Sequence, residues 1–186
     1  AAEVCAAAGA DWVLLDLEHG SGGEADVRDG VIAAGSYGVP TIVRVESGDR
    51  IRIGRVLDQG AAGIMVPRLN TVEQAAESVR HMLYPPHGDR GVATYNRACR
   101  WGMDRRTLTE PGQETLGIIQ IETLDALASV EDIAAQDGVD VVFIGPLDLS
   151  YALGVPLQLD SSVFQEALQR VVAAAQRHNK AAGILA

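Results

Sequence analysis

Two carboxylates, Glu122 and Asp148, each follow a strongly apolar run of the chain. The runs read Gly-Ile-Ile-Gln-Ile-Glu at 117–122 and Val-Val-Phe-Ile-Gly-Pro-Leu-Asp at 141–148, about one strand–helix–strand unit apart. Because the carboxyl ends of parallel strands lie at one edge of a sheet, the two side chains are expected to converge on one hard cation. The pattern therefore predicts a divalent metal site.

The type of metal follows from the ligands. Two carboxylates completed by water suit Mg²⁺ or Mn²⁺, and also Co²⁺, whereas zinc prefers His and Cys. The alternative for both acids is a place at the start of a helix, since Glu122-Thr-Leu-Asp and Asp148-Leu-Ser could each help begin one. The Gly145-Pro146 pair before Asp148 would let a small ligand approach the backbone closely.

A third apolar run, at 12–15, ends in Asp16, Glu18 and His19. Strand alternation places Asp16 and Glu18 on one side, and the chain bends at His19. A histidine beside a carboxylate can act as a general base, because the carboxylate fixes its tautomer and stabilises its charged form. A surface-loop histidine is the alternative.

Arg44 lies inside the apolar run 40–45, where a buried guanidinium requires an anion. Two partners are open: an acid such as Asp58 or Asp16 in a structural ion pair, or a substrate carboxylate in bidentate recognition. Asp58 ends a predicted helix, where the helix dipole disfavours an acid. We therefore expect Asp58 to hold Arg44 or His19.

Strand and helix patterns alternate along the chain, which is typical of a parallel α/β sheet. The predicted strands are the Val-, Ile- and Leu-rich runs 11–16, 41–45, 62–66, 116–121, 140–144 and 181–185. The predicted helices are 23–36, 49–59, 70–83, 124–136 and 160–178. Six such strands fit a doubly wound sheet or most of a (β/α)8 barrel.

The longest irregular stretch, about 84–114, is expected to be a lid, a binding loop or a subunit contact. Tyr95, Asn96 and Arg97 in this stretch, together with Arg68, are candidate specificity residues without assigned roles.

Composition limits the function classes. The 186 residues are 47% hydrophobic with a net charge of −10, so a globular domain is expected and nucleic-acid binding is disfavoured. The absence of a long apolar segment or a signal-peptide pattern predicts a cytoplasmic protein without a membrane partner. Two cysteines, Cys5 and Cys99, are too few for a disulfide scaffold and are read as reduced thiols.

At these residues the sequence resembles the HpcH/HpaI aldolase family, the metal-dependent class II pyruvate aldolases of the phosphoenolpyruvate/pyruvate barrel group. Seven motifs in the family's order carry the resemblance over nearly the whole chain. They lie at 16–20, 42–45, 55–60, 84–92, 97–102, 120–123 and 143–150.

The resemblance implies one (β/α)8 TIM-barrel domain over 1–186, with the first and last strands missing from this chain. It implies a lyase that cleaves 4-hydroxy-2-oxo acids or 2-keto-3-deoxy sugar acids to pyruvate and an aldehyde, and assembly as a homo-oligomer, a hexamer in the family. The alternatives are an oxaloacetate decarboxylase or C–C bond-forming synthase of the same group, and a non-catalytic oxo-acid-binding barrel.

For substrate and metal binding, the resemblance assigns Glu122 and Asp148 as metal ligands, with Asp148 also at the substrate. Gln120 and the backbone around Leu147 match positions that contact the pyruvate part, and Arg44 matches the arginine that steadies its carboxylate.

For catalysis, the resemblance assigns His19 as the base, with Asp16 as its neighbour and Asp58 as an acid that raises its basicity. By the same resemblance, Arg44 matches the arginine that also steadies the developing enolate. The chain contains one lysine, Lys180, which counts against an aldolase that forms a Schiff base.

Overall fold

The computed structural model describes residues 1–104, 106–109 and 115–185. Helices and parallel strands alternate within them, which confirms the predicted α/β fold; a closed eight-stranded barrel is not shown. The strands are β1 (Val13–Asp16), β2 (Thr41–Arg44), β3 (Gly63–Val66), β4 (Leu116–Ile121), β5 (Val141–Ile144) and β6 (Ala181–Ile184). None of the described helices combines the length and apolarity that crossing a bilayer requires.

The described helices follow the five predicted segments, with three additions and one break. They are α1 (Ala2–Ala7), α2 (Glu24–Gly35), α3 (Arg50–Asp58), α4 (Val72–Met82), α5 (Arg106–Thr109), α6 (Leu124–Ala128), α7 (Val130–Ala134), α8 (Pro146–Ala152) and α9 (Ser162–Arg177). The segment predicted as one helix over 124–136 is α6 and α7, which meet at Ser129. The short helices α1, α5 and α8 lie outside the five predicted segments, and α8 lies where the helix-start alternative for Asp148 placed a helix.

Polar side chains cap the first turns of predicted helices, as at α4 and α9. The Thr71 hydroxyl accepts a hydrogen bond from the backbone N–H of Gln74 at 3.2 Å, and Ser161 does the same for Phe164 at 3.3 Å. Each cap satisfies a backbone donor that the first helical turn leaves unpaired. After the carboxyl end of α2, Gly38 has a φ of +73°, a left-handed conformation that glycine adopts with little strain.

The described residues group into two compact units. The first comprises Ala1–Met65 and the described part of Arg80–Thr115. In it β1, β2 and β3 pair in parallel, and the register places Asp16 opposite Arg44 and Arg44 opposite Met65. The polar ends of β1 and β2, Asp16 and Arg44, are thereby brought side by side.

The second unit comprises Val66–Val79 and the described part of Leu116–Ala186. Strands β4, β5 and β6 pair in parallel, with Gln120 opposite Phe143 and Ile121 opposite Ile144. The residues that follow β4 and β5 therefore leave the sheet at the same edge.

The predicted irregular stretch is irregular over most of its described length. It contains a short 3₁₀ helix, Arg100–Gly102, and α5; residues 105 and 110–114 lie outside the described residues. Arg90 stacks over the Tyr84 ring at 4.4 Å, and the Cys99 thiol is fully buried and donates a hydrogen bond to the Ala93 carbonyl at 3.4 Å. Charged and aromatic packing thus fixes part of this segment in the first unit.

Candidate functional site

In the second unit, five residues from three segments form a group that we call the carboxylate cluster. Gln120 and Glu122 belong to the end of β4, Gly145 and Asp148 follow β5, and Arg68 follows β3. The structure thus brings Glu122 and Asp148 to one common neighbour, Arg68.

The Glu122 side chain is buried, with 3% of its surface exposed, and is held by two donors. Its Oε1 accepts a hydrogen bond from the backbone N–H of Arg68 at 2.7 Å, and its Oε2 accepts one from the Gln120 amide at 2.7 Å. Because both neighbours donate, this position suits a carboxylate and not an amide. Glu122 does not start the following helix, since Thr123 is the N-cap residue of α6.

Gln120 carries an unsatisfied acceptor. Its side chain is buried, and its Oε1 has no hydrogen-bond partner among the described residues. The Glu122 carboxylate only accepts, so the Gln120 amide nitrogen must face it and the amide oxygen must point elsewhere. A buried unpaired acceptor is costly, and this one suits a ligand that brings a donor or a positive charge.

Gly145 leaves space beside both side chains. A Cβ atom at this position would overlap Glu122 Oε2 and would lie 2.9 Å from the Gln120 amide nitrogen. The backbone φ of Gly145 is −86°, which other residues adopt freely, so the demand for glycine here is steric.

Asp148 lies in the first turn of α8, as the helix-start alternative expected, and its side chain is 49% exposed. Its Oδ1 accepts a hydrogen bond from Arg68 Nη1 at 3.1 Å. The cluster therefore has one buried and one accessible carboxylate.

A divalent cation fits this donor set. The cluster offers two carboxylates and the unsatisfied Gln120 oxygen, all hard oxygen ligands. Among the described ranges, no group of three His, Cys, Asp or Glu side chains could hold a metal, so a cation here would complete its shell with water or substrate.

In the first unit, Arg44 organises a second group, which we call the arginine cluster. Its Nε and Nη2 donate to the two carboxylate oxygens of Asp16 at 2.9 and 2.6 Å, and its Nη1 lies 3.2 Å from Glu18 Oε2. This bidentate pair follows from the β1–β2 register. Of the two acids considered for Arg44, the structure pairs it with Asp16.

His19 lies at the edge of the arginine cluster, with 68% of its side chain exposed. Its Nε2 is 3.9 Å from Glu18 Oε2, whereas Asp16 receives a long hydrogen bond, 3.4 Å, from the His19 backbone N–H. The carboxylate near the ring is therefore that of Glu18. Sequence reasoning assigned this place to Asp16, although the alternation of the strand put both acids on one side.

Asp58, at the end of α3, is paired with a different arginine from the one expected. Its Oδ1 accepts a hydrogen bond at 2.8 Å from Nη2 of Arg90, which is buried and stacks on Tyr84. Asp58 was expected to hold Arg44 or His19. Its influence on the basicity of His19 stays a prediction.

The Asp16–Arg44 pair should make the fold sensitive to acid. Hydrogen bonding to the Arg44 guanidinium lowers the pKa of Asp16 below its ordinary value of 3.8. The resulting stability is present above about pH 4 and is lost as the pH falls through the lowered value. Urea unfolding from pH 2.5 to 6 should show a smaller fall in stability for Arg44→Met than for the unsubstituted protein.

The control for this prediction is Arg28→Met, which removes an arginine from an exposed pair with Asp29 at 3.0 Å. That variant should keep the acid dependence of the parent protein, because exposed pairs contribute little. Equal acid sensitivity in the parent and in Arg44→Met would contradict the prediction.

Comparison with known proteins identifies relatives over the whole chain. A family model described as HpcH/HpaI aldolase/citrate lyase matches residues 1–186. The hydroxypyruvate/pyruvate aldolase of Delftia acidovorans is 41% identical over 100% of this chain and 70% of that protein. The 2-keto-3-deoxy-L-rhamnonate aldolase of Klebsiella pneumoniae is 39% identical over 100% of this chain and 70% of that protein.

A solved structure gives the same result. The crystal structure of an HpcH/HpaI aldolase/citrate lyase family protein from Burkholderia cenocepacia superposes with a TM-score of 0.93 at 36% identity, covering 100% of this chain and 74% of that one. With a family model that spans every residue and relatives near 40% identity, this chain belongs to the HpcH/HpaI aldolase/citrate lyase family.

Proposed function

We propose that this protein is a class II pyruvate aldolase, a metal-dependent lyase that cleaves 4-hydroxy-2-oxo acids or 2-keto-3-deoxy sugar acids to pyruvate and an aldehyde. The observation that carries the proposal is the carboxylate cluster, in which a buried Glu122 and the unsatisfied Gln120 oxygen lie together. Relatives named as aldolases support the reaction type.

The reaction requires stabilisation of an enolate. Breaking the bond between C3 and C4 leaves the electron pair on the pyruvate part as its enolate, while the 4-hydroxyl loses a proton and becomes the aldehyde oxygen. The enolate becomes pyruvate by taking up one proton at C3, so the proton count of the whole cleavage is unchanged. A divalent cation held by Glu122 and Asp148 would act as a Lewis acid for that charge. Gln120 orients Glu122, and the backbone beside Leu147 would contact the pyruvate part.

In the proposal, residues of the arginine cluster take part in proton transfer and in stabilising the enolate. In the proposal His19 takes the proton of the 4-hydroxyl, and the Glu18 carboxylate beside its ring favours the protonated imidazole that results. Asp16 holds the Arg44 guanidinium through two hydrogen bonds, and in the proposal this guanidinium steadies the substrate carboxylate and the developing enolate.

A Schiff-base mechanism is a poor fit to the fold. Lys180, the single lysine of the chain, directly precedes β6 and so lies at the amino end of that strand. Glu122 and Gly145 follow the carboxyl ends of β4 and β5 in the same parallel sheet, which is the opposite edge.

The test is a coupled assay of pyruvate release by the full chain, stripped of metal and then resupplied with Mg²⁺ or Mn²⁺. The substrate panel comprises 4-hydroxy-2-oxo acids, 2-keto-3-deoxy sugar acids and oxaloacetate. We expect pyruvate and an equimolar aldehyde only after metal is restored, because the enolate is not sufficiently stabilised without it.

The other outcomes of the assay distinguish the alternative functions. Pyruvate from oxaloacetate alone, with no aldehyde from any substrate, would favour a decarboxylase of the same family. Oxo-acid binding without turnover would favour a non-catalytic binding protein. Failure of every substrate would reject the lyase.

A cytoplasmic location and a homo-oligomeric state are part of the same proposal. Within the described part of the chain neither Cys5 nor Cys99 forms a disulfide, which suits a reducing compartment. Exposed large apolar side chains, among them Tyr95 and Trp101, suit a surface that contacts another subunit.

A further inference from the structure

Arg68 is the member of the carboxylate cluster that the proposed reaction does not use. Its backbone N–H donates to Glu122 Oε1 at 2.7 Å, and its guanidinium Nη1 donates to Asp148 Oδ1 at 3.1 Å. One residue thus places a donor on one carboxylate and a full positive charge on the other. These are the two carboxylates that fit a divalent cation.

The backbone and the side chain of Arg68 serve separate purposes. Arg68 has a φ of +54°, a left-handed conformation that glycine adopts with less strain than arginine. The hydrogen bond to Glu122 comes from the backbone and would be available to any residue here that holds this conformation. The conformation of this loop therefore does not explain why the residue is an arginine. The contact of its guanidinium with Asp148 does.

The contact between Arg68 and Asp148 is one that a competing cation can replace. The two side chains are 61% and 49% exposed, and one nitrogen makes the contact. The Arg44–Asp16 pair is much less exposed and is bidentate. An exposed pair with a single contact is weak and is readily replaced by a competing cation.

We propose that Arg68 is an exchangeable cation of the carboxylate cluster. Its guanidinium neutralises Asp148 when no divalent cation is bound and is displaced from Asp148 when one binds, so Arg68 lowers the affinity for the metal. The inference deepens the proposed function, because it concerns the same metal site. It makes Arg68 a residue that sets the metal concentration at which the site fills.

The test is a titration of the metal-free full chain with Mn²⁺, followed by calorimetry and by the electron paramagnetic resonance signal of free Mn²⁺. The variants are Arg68→Gly, which suits the left-handed backbone, and Arg68→Met, which keeps a long side chain. Both should bind Mn²⁺ on the order of three- to ten-fold more tightly, the effect expected for removing one partly exposed competing charge. The difference should shrink in high salt, which screens exposed charges.

The matched control is Arg177→Met in the same unit. Arg177 is 60% exposed and pairs with Glu131, so this variant removes the same charge at the same exposure away from Asp148. Its Mn²⁺ affinity should equal that of the parent. Equal tightening in Arg177→Met would show a general charge effect and would overturn the proposal.

Unchanged or weaker Mn²⁺ binding by both Arg68 variants would also overturn it. Glu122→Gln in the same titration tests the metal site itself. Suppose that the parent binds Mn²⁺ and Glu122→Gln does not. An Mn²⁺ affinity of Arg68→Gly equal to that of the parent would then reject only the role of Arg68. If neither the parent nor the Arg68 variants bind Mn²⁺, both the metal site and the exchange are rejected; binding by the Arg68 variants alone supports the exchange.

Discussion

The Glu122→Gln variant should lose metal-dependent pyruvate release almost completely. We expect kcat/KM to fall by about 10³-fold or more, the scale of losing a principal stabiliser of developing negative charge. The amide removes the charge that would hold the cation. The substitution also replaces one carboxylate oxygen by an NH₂ group, which is a donor. Both oxygens of Glu122 accept hydrogen bonds, from the Arg68 backbone N–H and from the Gln120 amide, so the new donor would face another donor.

The measurement is kcat/KM at saturating Mn²⁺ for the best substrate of the panel, together with the Mn²⁺ dissociation constant. Glu131→Gln is the matched control, since Glu131 lies in the same unit and pairs with Arg177 on the surface. It should keep parental activity and parental metal affinity. Retention of more than about a tenth of the activity in Glu122→Gln would contradict the role given to the carboxylate.

The strands were predictable because each is a short apolar run between turn residues. The run 41–45 became β2, Thr41–Arg44, and 140–144 became β5, Val141–Ile144. Burial of a strand within a parallel sheet favours continuous hydrophobicity, which remains visible in a single sequence. The same reasoning placed Glu122 and Asp148 beyond strand ends.

The helical details were harder to predict, because local signals compete. The division of 124–136 at Ser129 interrupts a pattern whose apolar spacing continues across the break. Helix α8 begins at Pro146, which suits the first turn of a helix, but Gly145-Pro146 reads equally well as a loop. In seven residues the periodicity is too short to decide between the two.

Side-chain partners were predictable only where register fixes them. Asp16 and Arg44 lie on neighbouring strands, and pairing those strands in parallel leaves few alternatives. Asp58 instead pairs with Arg90, which lies in an irregular segment whose conformation cannot be predicted from a repeating sequence pattern. The link from Arg68 to both carboxylates depends on one left-handed residue, and an arginine gives no sequence signal for that conformation.

The Gly145→Ala variant tests whether the carboxylate cluster needs its present packing. The added methyl group would overlap Glu122 Oε2 and press on the Gln120 amide nitrogen, 2.9 Å away. Glu122 cannot move aside cheaply, because it is buried and its two oxygens are hydrogen-bonded to Arg68 and Gln120. We expect kcat/KM to fall by about 10²-fold, since displacing a catalytic group by about 1 Å has effects of this size.

The control is Gly54→Ala in α3, where a Cβ atom would meet no other atom within 4 Å. That variant should keep its activity and gain slightly in melting temperature, because alanine is the better helix former. Circular dichroism of Gly145→Ala separates a displaced cluster from a lost fold: we expect a native spectrum with weakened Mn²⁺ binding. A folded Gly145→Ala protein with parental kcat/KM and parental Mn²⁺ affinity would mean that the reaction does not depend on the position of Glu122, and it would remove the main structural support for an aldolase site at this cluster.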